Sequence, residues 1–184
     1  MNVLFLGPAT DPVHAFLIKK ERVVQTESPI LDTPADVIVS RGYWHRVPSE
    51  VLRTTRAVNL HIGYLPWNRG VDPNLWSWID GTPKGVTIHY MDEGFDTGPV
   101  LARQEVLMVP EDTLATSYRR LQDELTRLFV LWWPEIREGA VCALPQESGG
   151  SVHFRRDRPS LPQGWNTPVR HLANEDSAWG VFGK

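Results

Sequence analysis

Short apolar runs recur along the chain, each closed by Gly, Pro, Asp or Ser, and their lengths suit buried strands better than helices. The first, Asn2-Val3-Leu4-Phe5-Leu6, stops at Gly7-Pro8 and leads into a helix expected over residues 11–20. Val23-Val24 adds a short second strand. Residues 26–35, with Pro29 and Pro34 among Thr, Ser and Asp, have the composition of a surface connection. A strand follows over 35–40, a short helix over 49–53, and a further strand over 57–62. Residues 86–92 and 100–106 read as the next strands. Strands alternating with helices predict a layered α/β domain whose twisted sheet is mostly parallel and flanked by helices.

The strongest helical signal runs from residue 113 to about 133. There Leu114, Tyr118, Leu121, Leu125, Leu128, Phe129 and Trp132 recur at three- and four-residue steps, with Asp112 as the expected cap. Pro134 should kink or end this helix, and Gly139 is the stop signal if a last turn survives the proline. Beyond Gly150 the pattern gives a strand over 152–154, a Pro-rich turn and a helix near 168–173. One domain over residues 1–150, with 151–184 as an extension packed on it, accounts for this layout.

Composition narrows the class. A chain of 184 residues with 41% hydrophobic and 22% charged residues can bury a core without a metal or disulfide staple. The formal net charge of -3 is spread rather than gathered, which argues against nucleic acid as a partner, transfer RNA included. No apolar run approaches the ~18 residues of a membrane span, and the single cysteine fits a reducing compartment, so a cytoplasmic location is expected. Cys142, between Val141 and Ala143, reads as a packed apolar residue.

Two segments carry candidate chemistry. Asn59-Leu60-His61 closes an apolar strand and opens a polar, Gly- and Pro-rich run to Gly70, where α/β sheets place ligands. Alternation puts Asn59 and His61 on one face. An amide and an imidazole there could stabilise an oxyanion as an amine attacks a carbonyl, each donor being worth ~3 kcal/mol. The second segment, Met91 to Pro99, holds Asp92, Glu93 and Asp96 in a Gly-punctuated loop, and one carboxylate leaning on His61 would fix its tautomer. Spacing does not say which.

Taken together, the two segments resemble the family of enzymes that use 10-formyltetrahydrofolate. The resemblance covers residues 57–113: Asn59-x-His61, the turn Leu65-Pro66, the step Arg69-Gly70, the strand Gly85-Val86-Thr87-Ile88-His89, and a loop matching Asp-x-Gly-x-Asp-Thr-Gly from Asp92 to Gly98. It implies a Rossmann-like formyltransferase fold, here with a shortened N-terminal half, and a formyltransferase catalytic domain over 1–150. It implies N10-formyltetrahydrofolate as co-substrate, no metal, and Asn59, His61 and Asp96 as catalytic residues. By the same carry-over Arg41, Gly42, Tyr43, Trp44, Tyr64, Leu65 and Asp92 would meet the folate. Trp67, Asn68, Arg69, Trp76 and His89 would meet the acceptor.

Departures from the family pattern select among its branches. Ile62-Gly63 stands where members often have Pro-Ser, and Gly7-Pro8-Ala9-Thr10 lacks a phosphate-cradling pattern, against a ribonucleotide substrate bound at the first strand. The compact members remain, acting on nucleotide-linked amino sugars or on carrier-tethered aminoacyl groups in peptide synthetases. The expected acceptor is the amino group of a nucleotide-linked sugar, with a carrier protein as the alternative partner. A formyl hydrolase or a non-catalytic folate-binding protein are the rivals from other classes. A homodimer is expected from the Trp-rich C-terminal half.

Overall fold

The computed structural model describes residues 1–172. Six strands form the main sheet: β1 (Asn2–Leu6), β2 (Arg22–Thr26), β3 (Val37–Ser40), β4 (Arg56–His61), β6 (Gly85–Tyr90) and β7 (Val100–Glu105), in the order β2-β1-β3-β4-β6-β7. The pairs from β2 to β4 are parallel, and β6 alone runs against the rest. A second sheet is the two-residue pairing of β5 (Arg69–Gly70) with β8 (Val152–His153).

Side-chain alternation sorts the sheet into two faces. Val3, Phe5, Val37, Val39, Val58, Leu60, Val86 and Ile88 pack under helices α1 (Pro12–Leu17) and α4 (Leu114–Glu138). Leu4, Leu6, Ile38 and Ala57 face the other way, against Val51 and Leu52 of α2 (Ser49–Thr54) and against Met91. On that second face Asn59, His61, Thr87 and His89 continue the alternation, so the polar cluster sits where the sheet lacks an apolar cover. A third cluster joins Leu75 and Trp78 of α3 (Pro73–Ile79), Leu114 of α4, and Val169, with Trp165 and Leu172 alongside.

Several elements differ from the sequence expectation. Helix α1 ends at Leu17, with Asp11 as its cap accepting from Val13 N. The cap of α4 is Thr113, which exchanges hydrogen bonds with Thr116, and not Asp112. Asp112, one step earlier, accepts from Val109 N, Thr116 Oγ1 and Arg120. Pro134 does not stop α4. The turn beyond it is held by buried Trp133 and Ile136, by Arg56 donating to the carbonyls of Ile136 and Arg137, and by Gly139 in the left-handed cap. Tertiary contacts outweigh the lost backbone donor. Cys142 is exposed rather than packed. Helix α3, begun by Asp72-Pro73, was not anticipated. The helix expected near 168–173 is a 3-10 turn over Val169–His171, and its last expected residue lies outside the described residues.

Residues 151–172 close against the rest. Ser151 Oγ accepts from Asn68 N, Leu114 N donates to the Thr167 carbonyl, and Val169 N donates to the Asp112 carbonyl. Among the described residues no helix is long and apolar enough to cross a membrane.

Candidate active site

Register builds the centre of the site. In the antiparallel β4–β6 pair Asn59 lies opposite His89 and His61 opposite Thr87, all four on one face. The loop after β6 then folds back so that Asp96, held at φ 52°, reaches them. Asp96 Oδ1 accepts from Asn59 Nδ2 at 3.0 Å and Oδ2 from Gly70 N at 2.8 Å. The rings stand close by: His89 Nε2 is 3.4 Å from Oδ1 and His61 Nδ1 is 3.6 Å from Oδ2.

Carbonyl partners assign the histidine tautomers, since a carbonyl can only accept. His61 Nε2 donates to the Asn68 carbonyl at 3.0 Å, which leaves Nδ1 as the basic nitrogen beside Asp96. His89 Nδ1 donates to the Tyr90 carbonyl at 2.7 Å, which leaves Nε2 to accept from Asn59 Nδ2 at 3.3 Å. One N–H of Asn59 is thus firmly held by the carboxylate. The other makes only the long contact to His89 and is the one available to a further acceptor.

Burial acts oppositely on the two titrating partners. Burial pushes the His61 imidazole below its ordinary value, outweighing the upward pull of Asp96, so the ring is neutral at neutral pH. For Asp96 burial alone would raise the carboxyl; His61, His89 and the Gly70 N–H together hold it well below the usual carboxylate range. The cluster at rest is therefore an ionised carboxylate beside a neutral imidazole.

This cluster lines a cavity of about 1010 Å³. One part of its wall is the segment after β3, with Arg41, Gly42, Tyr43 and Trp44, together with Asp92 and Phe95 of the Asp96 loop. Another comes from Asp72, Tyr118, Arg119 and Trp165. The structure therefore brings Asn59, His61, Asp96, His89, Arg41, Gly42, Tyr43, Trp44 and Asp92 to one cavity.

It does not bring Tyr64, Leu65, Trp67, Asn68, Arg69 or Trp76 into the lining; they pack behind His61. Leu65 is buried, with its N–H on Thr87 Oγ1 and its carbonyl accepting from Arg103, whose guanidinium covers the Tyr64 ring. Asn68 is buried and donates to Thr82. Arg69 donates to Gln146, Trp76 stacks on His153 at 4.0 Å, and Trp67 is partly exposed. Asn68, Arg69 and Trp76 thus have their side chains engaged by partners outside the cavity lining. Arg41 lines the cavity, but its buried guanidinium is committed to Asp11, Gln122 and Thr126.

The sequence model described as formyl transferase matches residues 16–131, more than half of the chain. The chain belongs to the formyltransferase family. A dTDP-4-amino-4,6-dideoxyglucose formyltransferase of Mycobacterium tuberculosis is 34% identical over 126 residues, 68% of this chain and 54% of its own length. A methionyl-tRNA formyltransferase of Burkholderia mallei is 34% identical over 155 residues, 82% of this chain and 47% of its own. The chain thus spans about half the length of the curated relatives it matches. Among solved structures, the formyltransferase PseJ from Anoxybacillus kamchatkensis, in complex with UDP-4,6-dideoxy-4-formamido-L-AltNAc and tetrahydrofolate, superposes with a TM-score of 0.88 at 40% identity. That match covers 94% of this chain and 98% of that one. The fold is the mostly parallel, Rossmann-like sheet of the formyltransferases.

Sequence reasoning missed the roles of three parts of this candidate site. The backbone N–H of Gly70 is a ligand of Asp96. Gln146 Nε2 donates to the carbonyls of Asp96 and Gly98 and so pins the carboxylate loop from a distant segment. Thr87 donates to the Gly63 carbonyl and receives Leu65 N, which closes the turn after His61. Thr87, on the same strand face as His89, and Gly70, in the Arg69-Gly70 step, carried a sequence signal, and Gln146 carried none.

Proposed function

We propose that this chain is an N-formyltransferase, acting in the cytoplasm, that moves the formyl group of N10-formyltetrahydrofolate to the primary amine of a nucleotide-linked amino sugar. The observation that carries the reading is the cluster itself: a buried ionised Asp96, a neutral His61 with its basic nitrogen beside it, and Asn59 held by Asp96, on the floor of one cavity. PseJ, bound in its crystal to a formamido sugar nucleotide and tetrahydrofolate, is matched over almost its whole length and supports both substrate classes.

The cavity residues fit the folate. Tyr43, Trp44 and Phe95 offer aromatic faces, and the segment Ser40–Trp44 offers main-chain groups at the end of β3. When bound, N10-formyltetrahydrofolate supplies the electrophilic formyl carbon. Asn59 then presents an N–H to the formyl oxygen where negative charge develops, the contact that matters most in such reactions. His61 Nδ1, beside the Asp96 carboxylate, takes up the proton that the attacking amine must lose and returns it to N10 as the bond from the formyl carbon to N10 breaks and tetrahydrofolate leaves. The Asn68 carbonyl keeps His61 from turning away, and Gly70 N with Gln146 keeps Asp96 in place.

The test is product formation from purified protein, 10-formyltetrahydrofolate and a panel of amino-sugar nucleotides and aminoacyl carrier proteins, read by mass spectrometry. A formylated sugar nucleotide that disappears in Asn59→Ala is expected. Folate breakdown without any formylated amine would instead identify a hydrolase, and formylation of carrier-bound amines alone would move the acceptor class.

A further inference from the structure

A neutral imidazole works as a base only through the ring nitrogen that carries no proton, so a group that fixes the tautomer shares in the chemistry without touching a substrate. For His61 that group is the Asn68 carbonyl, which accepts from Nε2 at 3.0 Å. The carbonyl points there because Asn68 holds a left-handed backbone, φ 58°, a conformation that asparagine tolerates better than most side chains. Its own amide is clamped from outside the catalytic cluster. Nδ2 donates to Thr82 Oγ1 at 2.6 Å, the backbone N–H donates to Ser151 Oγ at 3.0 Å, and that hydroxyl donates back to Oδ1 at 3.3 Å. Asn68 is fully buried and lies outside the cavity lining, so its bearing on the reaction runs through its neighbours.

Gly63 makes the room for this contact. A β-carbon at this position would lie 2.6 Å from His61 Nε2 and 2.9 Å from Cδ2, with Pro73 Cβ at 3.2 Å. Ordinary contact needs ~3.5 Å, so a methyl there displaces the ring from the Asn68 carbonyl. The turn is held against moving aside: the Gly63 carbonyl accepts from Thr87 Oγ1 at 2.7 Å, and Thr87 Oγ1 accepts from Leu65 N at 3.1 Å.

We propose that Asn68 and Gly63 are positioning residues that together lock His61 in its Nε2–H tautomer, an inference that rests on the transfer reading above. Asn68 supplies the acceptor and Gly63 the space. With Nε2 committed, Nδ1 keeps its lone pair beside Asp96, 3.6 Å away, and is the ring atom that takes the amine's proton and returns it to N10. The other tautomer would turn an N–H toward Asp96 and set the Nε2 lone pair against the Asn68 carbonyl, leaving no base at Nδ1. The imidazolium formed on proton uptake satisfies both acceptors at once, the Asn68 carbonyl through Nε2 and the Asp96 carboxylate through Nδ1.

The tautomer is read without turnover from two-bond ¹H–¹⁵N correlations of the ¹⁵N-labelled full chain at about pH 8, where an ordinary imidazole is neutral, with His61→Gln to assign the signal. In wild type Nε2 should carry the proton. Asn68→Gly keeps the left-handed backbone while losing the amide clamp, and should keep this pattern with kcat reduced about threefold. Asn68→Val, whose branched side chain resists φ 58°, and Gly63→Ala should lose it. Their kcat should fall about thirtyfold, part of the 10²–10⁴ that an acid–base group contributes, with KM for folate and amine held within about twofold. Wild-type His61 protonated on Nδ1 would overturn the lock and leave the transfer reading, judged by product, standing. So would Asn68→Val and Gly63→Ala that lose rate while keeping the wild-type pattern. Should those two variants not fold, the wild-type pattern and Asn68→Gly decide: a switch to Nδ1–H in Asn68→Gly would overturn the role of the carbonyl. The expected pattern in a protein that formylates no amine would uphold the lock and count against the transfer reading.

Discussion

Replacing Asp96 by its isosteric amide separates what the carboxylate does for the reaction from what it does for the fold. Asp96 accepts from Asn59 Nδ2 on one oxygen and from Gly70 N on the other. In Asp96→Asn one of these oxygens becomes an NH₂, and either orientation sets a donor against a donor. A hydrogen bond to a charged group contributes about 1.5–3 kcal/mol. Asn59 and Gly70 are only half-buried, so water can partly replace the lost acceptor and the cost should fall to about 1–2 kcal/mol. For a chain of this size that lowers Tm by about 2–8 °C, which leaves the protein folded at 25 °C. The reaction should suffer far more. The variant loses the negative charge that favours a proton on His61 and the acceptor that aims Asn59, and acid–base groups of this kind contribute about 10²–10⁴ in rate. Single-turnover formylation of the best acceptor, followed by mass spectrometry beside a calorimetric melt of the same samples, reads both numbers. A variant rate within about threefold of wild type, or a rate loss that merely follows the folded fraction, would refute the reasoning.

The remaining expectations concern pH and three residues around the cluster. The His61 shift is downward, so the acid limb of the kcat/KM profile should lie below pH ~6.5, the ordinary imidazole value, and Asp96→Asn should move it lower still by removing an upward pull. The same depressed pKa values mean that stability is complete above about pH 6.5. It declines on acidification, first as unfolded His61 gains a proton the folded ring resists, then near pH ~3.9 as unfolded Asp96 does the same, which an acid titration followed by circular dichroism will show. Arg41→Ala leaves the Asp11 carboxylate, Gln122 and Thr126 without their buried partner. It should cost about 3 kcal/mol in thermal unfolding, with folate affinity falling only through displacement of the segment after β3. In Gly70→Ala, at φ 89°, the new methyl would collide with the His153 carbonyl, so the rate should drop with the Gly70–Asp96 bond even where the melt shows a folded protein.

The sheet was legible because its strands are continuous apolar runs, and Asn59 and His61 because alternation alone places them together. Asp96 could not be separated from Asp92 and Glu93 by spacing. Their difference lies in long-range geometry: Asp92 accepts from Gly94 N and Thr97 Oγ1 in its own loop, Glu93 sits exposed near Arg53, and of the three only Asp96 reaches Asn59, His61 and His89. The placement of the segment from Tyr64 to Arg69 outside the cavity lining was not legible for a related reason. Its aromatic and charged side chains look like a binding surface, but they are consumed by Thr82, Arg103 and Gln146, partners 14 to 77 residues away that no local pattern reveals. Helix α3 escaped notice because it is only seven residues long and buried on nearly all sides, which hides any amphipathic period.

The two-residue pairing of β5 with β8 has a bearing on how this fold can be cut and joined. Every candidate catalytic side chain lies before residue 97, and a designer transplanting the catalytic unit into a fusion protein would be drawn to a boundary at the glycine pair 149–150. Such a fragment would keep all its reactive groups yet forfeit the clasp in which Arg69 N donates to Ser151 and Val71 N to His153, and with it the anchoring of the peptide that meets Asp96. A portable unit has to extend at least through Val169, whose N–H donates to the Asp112 carbonyl at the start of α4, and Leu172 packs on the same cluster.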